Sequence, residues 1–227
     1  MKYKAAAAAG AIAQSRIFAG LSRTMREELA KETHLKRCAR SEVLFHEGDS
    51  ATCAWLLVNG LVKLAKLTPK GQELVIELAA SDDLFGAVYY HEHPVYPATA
   101  IAIEPTTVAC VSVRAIEVAM QHDPKFQRVL LEDTCRRLCR AQELRGLALE
   151  PVPQRLAWAL SYLAEKFGER IPASRALLAQ LAGTTVETAI RITGRWASEG
   201  WLKTERGAMT IIDARALAEQ SGRSGCH

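Results

Sequence analysis

Glu187 and Arg191 stand four residues apart, a spacing that places both side chains on one face if their segment is helical. A guanidinium can give two hydrogen bonds to O6 and N7 of guanine, and a carboxylate can accept from N4 of cytosine. Such a pair at the start of a helix is the equipment of a major-groove reader. Val186, Thr188, Ile190 and Arg195 would share the outer surface of that helix, with Thr185 at its beginning. Arg175, Arg191, Arg195, Lys203 and Arg206 are suited to phosphates, which position a protein on a duplex without choosing sequence. An i,i+4 Glu–Arg pair is also a common solvated helix face, so the surrounding elements must decide.

Those elements are well marked. Ser174 to Ala182 reads as a short helix with Leu177, Leu178 and Leu181 on one side. Gly183 permits a sharp turn. Thr184-Thr185-Val186-Glu187 predicts a Ser/Thr-x-x-Glu cap on a second helix that buries Ala189, Ile192 and Trp196. Trp201–Thr204 and Met209–Ile212, joined through Glu205-Arg206-Gly207-Ala208, predict a hairpin, so the module is a winged helix-turn-helix. Upstream, Pro151 and Pro153 bar helix continuation and set a border. A helix over 154–167 follows, with Leu156, Leu160, Leu163 and Phe167 inward and Gly168 at its end.

The N-terminal part differs in character. Residues 15–37 read as helix, with Ser22 and Thr24 as N-cap candidates. From 40 to 113, short β-rich runs alternate with turn signals such as Asn59-Gly60 and Pro69-Lys70-Gly71, predicting a small antiparallel roll. Asp123-Pro124 opens a long helix to about Leu149. Leu130, Leu131, Leu138, Ala141 and Leu144 can line a broad face of it, and self-pairing about a two-fold would cover that face; Arg145 interrupts the heptad. The expected organisation is α+β: a helix and β-roll sensor domain over 1–114, a dimerisation region over 115–150, and a winged helix-turn-helix domain over 151–227.

Charge is unevenly placed. The net charge is only +4, yet no Lys or Arg occurs from Gly71 to Val113, whereas Arg is plentiful beyond it. The six cysteines include no CxxC and suggest no disulfide framework, which favours a reducing, cytoplasmic setting. Cys135 and Cys139, four apart on the long helix, are candidates for a redox switch or metal site, against the plainer reading of small buried hydrophobes. His91 and His93, with His46 as a third member only if the fold brings it close, are candidates for a metal or haem iron, against a polar surface loop. Met1-Lys2-Tyr3-Lys4 followed by alanine-rich sequence resembles a signal peptide superficially, but alanine is weakly hydrophobic and a helical or frayed tail is expected instead. No apolar stretch of transmembrane length occurs, so no membrane partner is expected.

The run Gly183-Thr184-Thr185-Val186-Glu187-Thr188-Ala189-Ile190-Arg191 resembles the recognition element of the Crp/Fnr superfamily of bacterial regulators, with Ile190 where the Fnr-type pattern has Ser. The order of roll, long helix and winged module is similar too, over about residues 15 to 215. The resemblance implies a homodimeric, non-enzymatic transcription regulator, an activator by family habit. It would bind double-stranded DNA at a near-palindrome with TTGAT-like half-sites, and RNA polymerase as a partner. The family's cyclic-AMP signature is absent: the matching stretch begins Gly86-Ala87 and closes Pro97-Ala98-Thr99-Ala100, without its Glu and Arg. The first 37 residues hold no Cys, against an N-terminal iron–sulfur cluster. Haem, redox or metal sensing stays open. Two other classes compete: a cupin-like metalloenzyme using His46, His91 and His93, and a ligand-binding module acting through protein partners.

Overall fold

The computed structural model describes residues 2–68, 71, 73–86 and 94–222. His91 and His93 lie outside the described residues. The chain divides into two compact units, Met1–Lys66 with Ile76–Leu138, and Leu67–Val75 with Cys139–His227. The division falls within the long helix rather than at the two prolines.

In the first unit, helices α1 (Lys2–Gln14) and α2 (Arg23–Lys31) precede strands β1 (Thr33–Cys38), β2 (Val43–Phe45), β3 (Cys53–Asn59), β4 (Val62–Leu67), β5 (Glu73–Ala79), β6 (Leu84–Phe85), β7 (Thr99–Ala102) and β8 (Thr106–Ser112). Helices α3 (Val113–His122) and α4 (Pro124–Leu147) follow. Two four-stranded sheets, ordered β1-β8-β3-β6 and β2-β7-β4-β5, form the expected roll.

The β1-β8-β3-β6 sheet is covered on both faces. Along β3, Ala54 and Leu56 join a cluster with Ile12, Leu29, Ile116, Phe126 and Leu130 from the helices and Phe18 from the turn between α1 and α2. Trp55 and Leu57 face the other way, into a cluster with Phe45, Val62, Phe85, Tyr96 and Val108. A strand buried on both sides has no polar face, which is why Ala54 to Leu57 is a continuous apolar run rather than an alternating one.

Two expectations need correction here. The helix expected over residues 15–37 is instead a turn, the nine-residue α2 capped by Ser22, and strand β1. β1 carries His34, Lys36 and Arg37, and it qualifies as a strand through its full ladder with β8, from Thr33 opposite Val111 to Cys38 opposite Thr106. The alanine-rich segment is a structural helix: Ala8 and Ile12 are fully buried. The cysteines also hold a surprise. Cys53 and Cys110, on adjacent strands β3 and β8, are joined by a disulfide with Cα atoms 5.6 Å apart. A sequence separation of 57 concealed that pairing.

Arg137 of α4 ties the long helix to the roll. Its Nε donates to Asp133 Oδ2 at 2.8 Å, its Nη1 to Glu77 Oε1 at 2.7 Å, and its Nη2 to the Leu84 carbonyl. Burial works against the guanidinium, but Glu77 and Asp133 more than offset it and hold its pKa above the ordinary value.

Gly60 makes the turn before β4 with φ +102°, and a Cβ there would lie 2.5 Å from Thr106 Oγ1 and 2.8 Å from Thr106 Cα. Thr106 is buried and its hydroxyl donates to the Glu104 carbonyl, so it cannot step aside. Gly60→Ala should therefore destabilise the chain by about 1–3 kcal/mol from the backbone strain alone, read as a lower urea midpoint with unchanged slope.

Candidate nucleic-acid interface

The second unit contains helix α5 (Val152–Phe167), strand β9 (Arg170–Ile171), helices α6 (Arg175–Ala182) and α7 (Val186–Ser198), strands β10 (Leu202–Glu205) and β11 (Ala208–Ile211), and helix α8 (Ala214–Ser221). Leu156, Leu160 and Leu163 of α5 are fully buried, and Gly168 ends the helix at φ +76°. Ser174 caps α6 by accepting from Leu177 N–H at 3.1 Å. Leu177, Leu178 and Leu181 are buried, as their spacing predicts. Gly183 closes α6 in the left-handed conformation, φ +58° and ψ +47°, and its N–H bonds the Ala179 carbonyl. That conformation is strained for any residue with a Cβ.

Helix α7 is held by its inner side. Ala189, Ile192 and Trp196 are buried, and Trp196 stacks on Trp201 with ring centroids 5.9 Å apart. Thr193 closes the set, donating its hydroxyl to the Ala189 carbonyl at 2.7 Å. The cap differs from the predicted one. Thr185, not Thr184, is the N-cap, and it accepts from Thr188 N–H at 3.2 Å. Glu187 thus stands one residue short of the position that would fold back on the cap, and it carries no capping duty.

The outer side of α7 is what the sequence predicts. Val186 and Ile190 are exposed at 38% and 48%, unusual for such side chains, and Glu187 and Arg191 are exposed beside them. Among the described residues Glu187 and Arg191 have no side-chain partner, not even each other, and both face solvent. Thr188 is half-buried through its cap. Arg195 lies 3.6 Å from Glu199 and stays exposed.

The hairpin is a three-stranded sheet, ordered β10-β11-β9; the short β9 was not visible in the sequence. Arg206 is exposed at its turn. Lys203 Nζ lies 3.3 Å from Glu205 Oε1, and Arg170 is 3.5 Å from Glu205 Oε2. Arg175 is half-buried with its Nε turned inward and unpartnered. A residue the sequence reading missed is Arg155 of α5, whose guanidinium donates to the carbonyls of Gly183, 3.3 Å, and Ala148, 3.4 Å. It braces the turn between α6 and α7. No pattern marks such a contact, because its acceptors are backbone.

The other candidates fare differently. His46 sits exposed in a turn, its N–H bonded to Asp49 Oδ2. Among the described residues no three of His, Cys, Asp or Glu are grouped to hold a metal. Cys135 and Cys139 are both exposed on α4. Leu130 is spent on the chain's own core and Leu144 is half-buried, whereas Leu131, Leu138 and Ala141 are exposed. No described helix is long and apolar enough to cross a membrane.

Inside the roll, Tyr96 belongs to a cluster of aromatic rings with Phe45, Trp55 and Phe85. Tyr96 stacks on Phe45 at 3.7 Å, accepts from Trp55 Nε1 at 3.0 Å and donates to the Cys53 carbonyl at 2.8 Å. Burial raises the Tyr96 hydroxyl above its ordinary pKa. Ala98 and Ala100 are fully buried, and no Lys or Arg is fully buried among the described residues. A buried phosphate needs a cation or several donors, and these residues supply no cation.

Two predictions test the local physics. Thr185→Ala removes the α7 cap and should cost about 1 kcal/mol of stability, measured by denaturant unfolding. Lys203 first, and Arg170 second, hold the Glu205 carboxyl below the ordinary glutamate range. A carboxylate so depressed supports the hairpin above the ordinary value of about 4.3, and that support is lost as pH falls through its folded value. Lys203→Ala should raise the Glu205 titration midpoint seen by NMR; an unmoved midpoint means the ammonium does not act on it.

Comparisons agree with this geometry. A model of the cyclic nucleotide-binding domain matches residues 35–123, and one of the Crp-like helix-turn-helix domain matches residues 154–220. The CRP-like cAMP-activated global transcriptional regulator of Mycobacterium tuberculosis is 27% identical over 221 residues, covering 92% of this chain and 98% of the relative. The transcriptional activator protein FnrA of Stutzerimonas stutzeri is 25% identical over 214 residues, covering 89% and 87%. The solved structure of FixK2 from Bradyrhizobium japonicum superposes with a TM-score of 0.77 at 21% identity, covering 85% of this chain and 99% of that one. With a roll, a long helix and a winged helix-turn-helix in the same order, the chain belongs to the Crp/Fnr superfamily of transcription regulators.

Proposed function

We propose that the chain works as a homodimer on a near-palindromic DNA site, with α7 in the major groove of each half-site. Glu187 and Arg191 read base edges there, and Ile190 offers an apolar contact to a thymine methyl. Arg195, Arg175 and the hairpin cations Lys203 and Arg206 meet phosphates, with Lys203 leaving Glu205 to do so. RNA polymerase is the partner through which binding becomes activation, and the cytoplasm is the setting. A signal other than a cyclic nucleotide is favoured, since among the described residues the roll interior offers a phosphate no buried Lys or Arg.

The observation that carries this reading is the state of Glu187 and Arg191: exposed, without partners, and fixed at the backbone by a capped and buried helix. Ion pairs would have to be broken before such side chains could read bases; here none stands in the way. Arg191→Ala should lower discrimination between an operator and a scrambled duplex by about 1–3 kcal/mol, roughly fivefold to 150-fold, in fluorescence-anisotropy titrations. Lys203→Ala should instead weaken both duplexes alike and reduce the salt slope of binding by about one. Full discrimination in the Arg191 variant would refute the base-reading assignment.

A further inference from the structure

We propose that Cys53 and Cys110 form a reversible dithiol–disulfide site in the roll, opened by a low-molecular-weight thiol and closed by its disulfide, which fastens the point where β8 passes into α3.

The two sulfurs are positioned by the sheet rather than by their own bond. Strands β3 and β8 are the inner pair of the β1-β8-β3-β6 sheet. Their register sets Cys53 opposite Ser112 and Cys110 opposite Trp55, so the cysteines are diagonal neighbours, and both pack against the inner cluster. Their Cα atoms lie 5.6 Å apart, inside the span of about 4.4–6.8 Å that a disulfide needs. Strand β3 pairs with β8 along one side, from Cys53 to Asn59, and β1 pairs with it along the other. The ladders therefore keep the sulfurs within reach when the bond is open, and closure is a step within the folded chain.

A disulfide whose strands are held without it, and which a small thiol can reach, is a labile one. Cys53 and Cys110 are half-buried, and Thr52 beside Cys53 is exposed. The Thr52 hydroxyl donates to Cys53 Sγ at 3.9 Å. A hydrogen bond to sulfur favours the thiolate, so Cys53 is the leaving group when the bond opens. Cys38, the third cysteine on the strands, is buried, and burial pushes its thiol up, so it does not compete.

The place of the site gives it something to hold. Strand β8 ends at Ser112 and α3 begins at Val113, with no loop between them. Ser112, the register partner of Cys53, caps α3 by accepting from Ala115 N–H at 3.3 Å. Val113 N–H donates to the Thr52 carbonyl at 3.1 Å. The closed disulfide clamps both strands beside these bonds. The open pair leaves them to the end of the ladder alone, where local opening is easiest.

The chemistry balances as two exchanges. A small thiolate attacks Cys110 Sγ, the bond between the two Sγ atoms breaks, and Cys53 leaves as thiolate. A second small thiolate attacks the small-molecule sulfur of the mixed disulfide and releases Cys110. The protein gains two electrons and, at its two sulfurs, two protons, while two small thiols become one disulfide. Excess small disulfide runs the same steps backwards.

The test takes the full chain through oxidised and then reduced glutathione, and back, with alkylation and peptide mass spectrometry after each step. The expected result is Cys53 joined to Cys110 after oxidation, both alkylated after reduction with the folded circular dichroism kept, and the same pair rejoined on return. Amide hydrogen exchange over 113–116, the first turn of α3, should be faster in the reduced chain than in the oxidised one. A Cys110→Ser chain should show the faster rate in both buffers, and the comparison of the two wild-type states stands even if that variant fails to fold. A pair that stays joined in reduced glutathione, never joins in oxidised glutathione, or unfolds the chain on opening overturns the inference. So does equal exchange over 113–116 in the two states. None of these outcomes touches the assignment of Glu187 and Arg191.

Discussion

Strand β3 cannot be satisfied by one neighbour. Ala54 and Leu56 require cover on one side of the sheet, while Trp55 and Leu57 require it on the other. The roll supplies the second cover through Phe45, Phe85 and Tyr96. The first must come from helices, and α1, α2, α3 and the start of α4 provide it. Burying a large side chain is worth about 1.5–3 kcal/mol, so neither layer is dispensable. The long helix therefore begins as a lid on the sheet, anchored by Phe126 and Leu130, before it continues past the roll.

The winged unit solves an opposite problem. Its outer side chains must stay unsatisfied by protein if they are to be satisfied by bases, yet they must be held in place. Position comes from inside the helix: Trp196 against Trp201, Thr193 on its own backbone, Thr185 at the cap, and Gly183 in a conformation that only its missing Cβ makes cheap. Specific contacts are thereby left with little entropy to lose. The exposed Val186 and Ile190 fit the same proposal, in which DNA would remove them from solvent.

The residues proposed to read DNA were legible because their cues are local: a glycine turn, a spacing of four, and an apolar inner face. What was misread depended on partners distant in sequence. The helix cap was assigned one residue early because Thr184 and Thr185 are chemically alike, and only the backbone selects between them. Strand β1 hid behind His34, Lys36 and Arg37, since its strand character lies in the ladder to β8. The bond between Cys53 and Cys110 needed the register of two strands. On α4, the apolar residues alone mixed two faces, so Leu130, which is buried, was grouped with Leu131, which is exposed.

Arg137 gives the N-terminal unit a property that packing alone would not. Three acceptors on three segments, Asp133, Glu77 and the Leu84 carbonyl, converge on one guanidinium. Detaching α4 from the roll would part the guanidinium from Glu77 and the Leu84 carbonyl, while Asp133, on α4 itself, would leave with it. Helix and strand edge are thus expected to exchange their amide protons as one foldon, and any displacement of Leu84 must be answered by the helix in the same step.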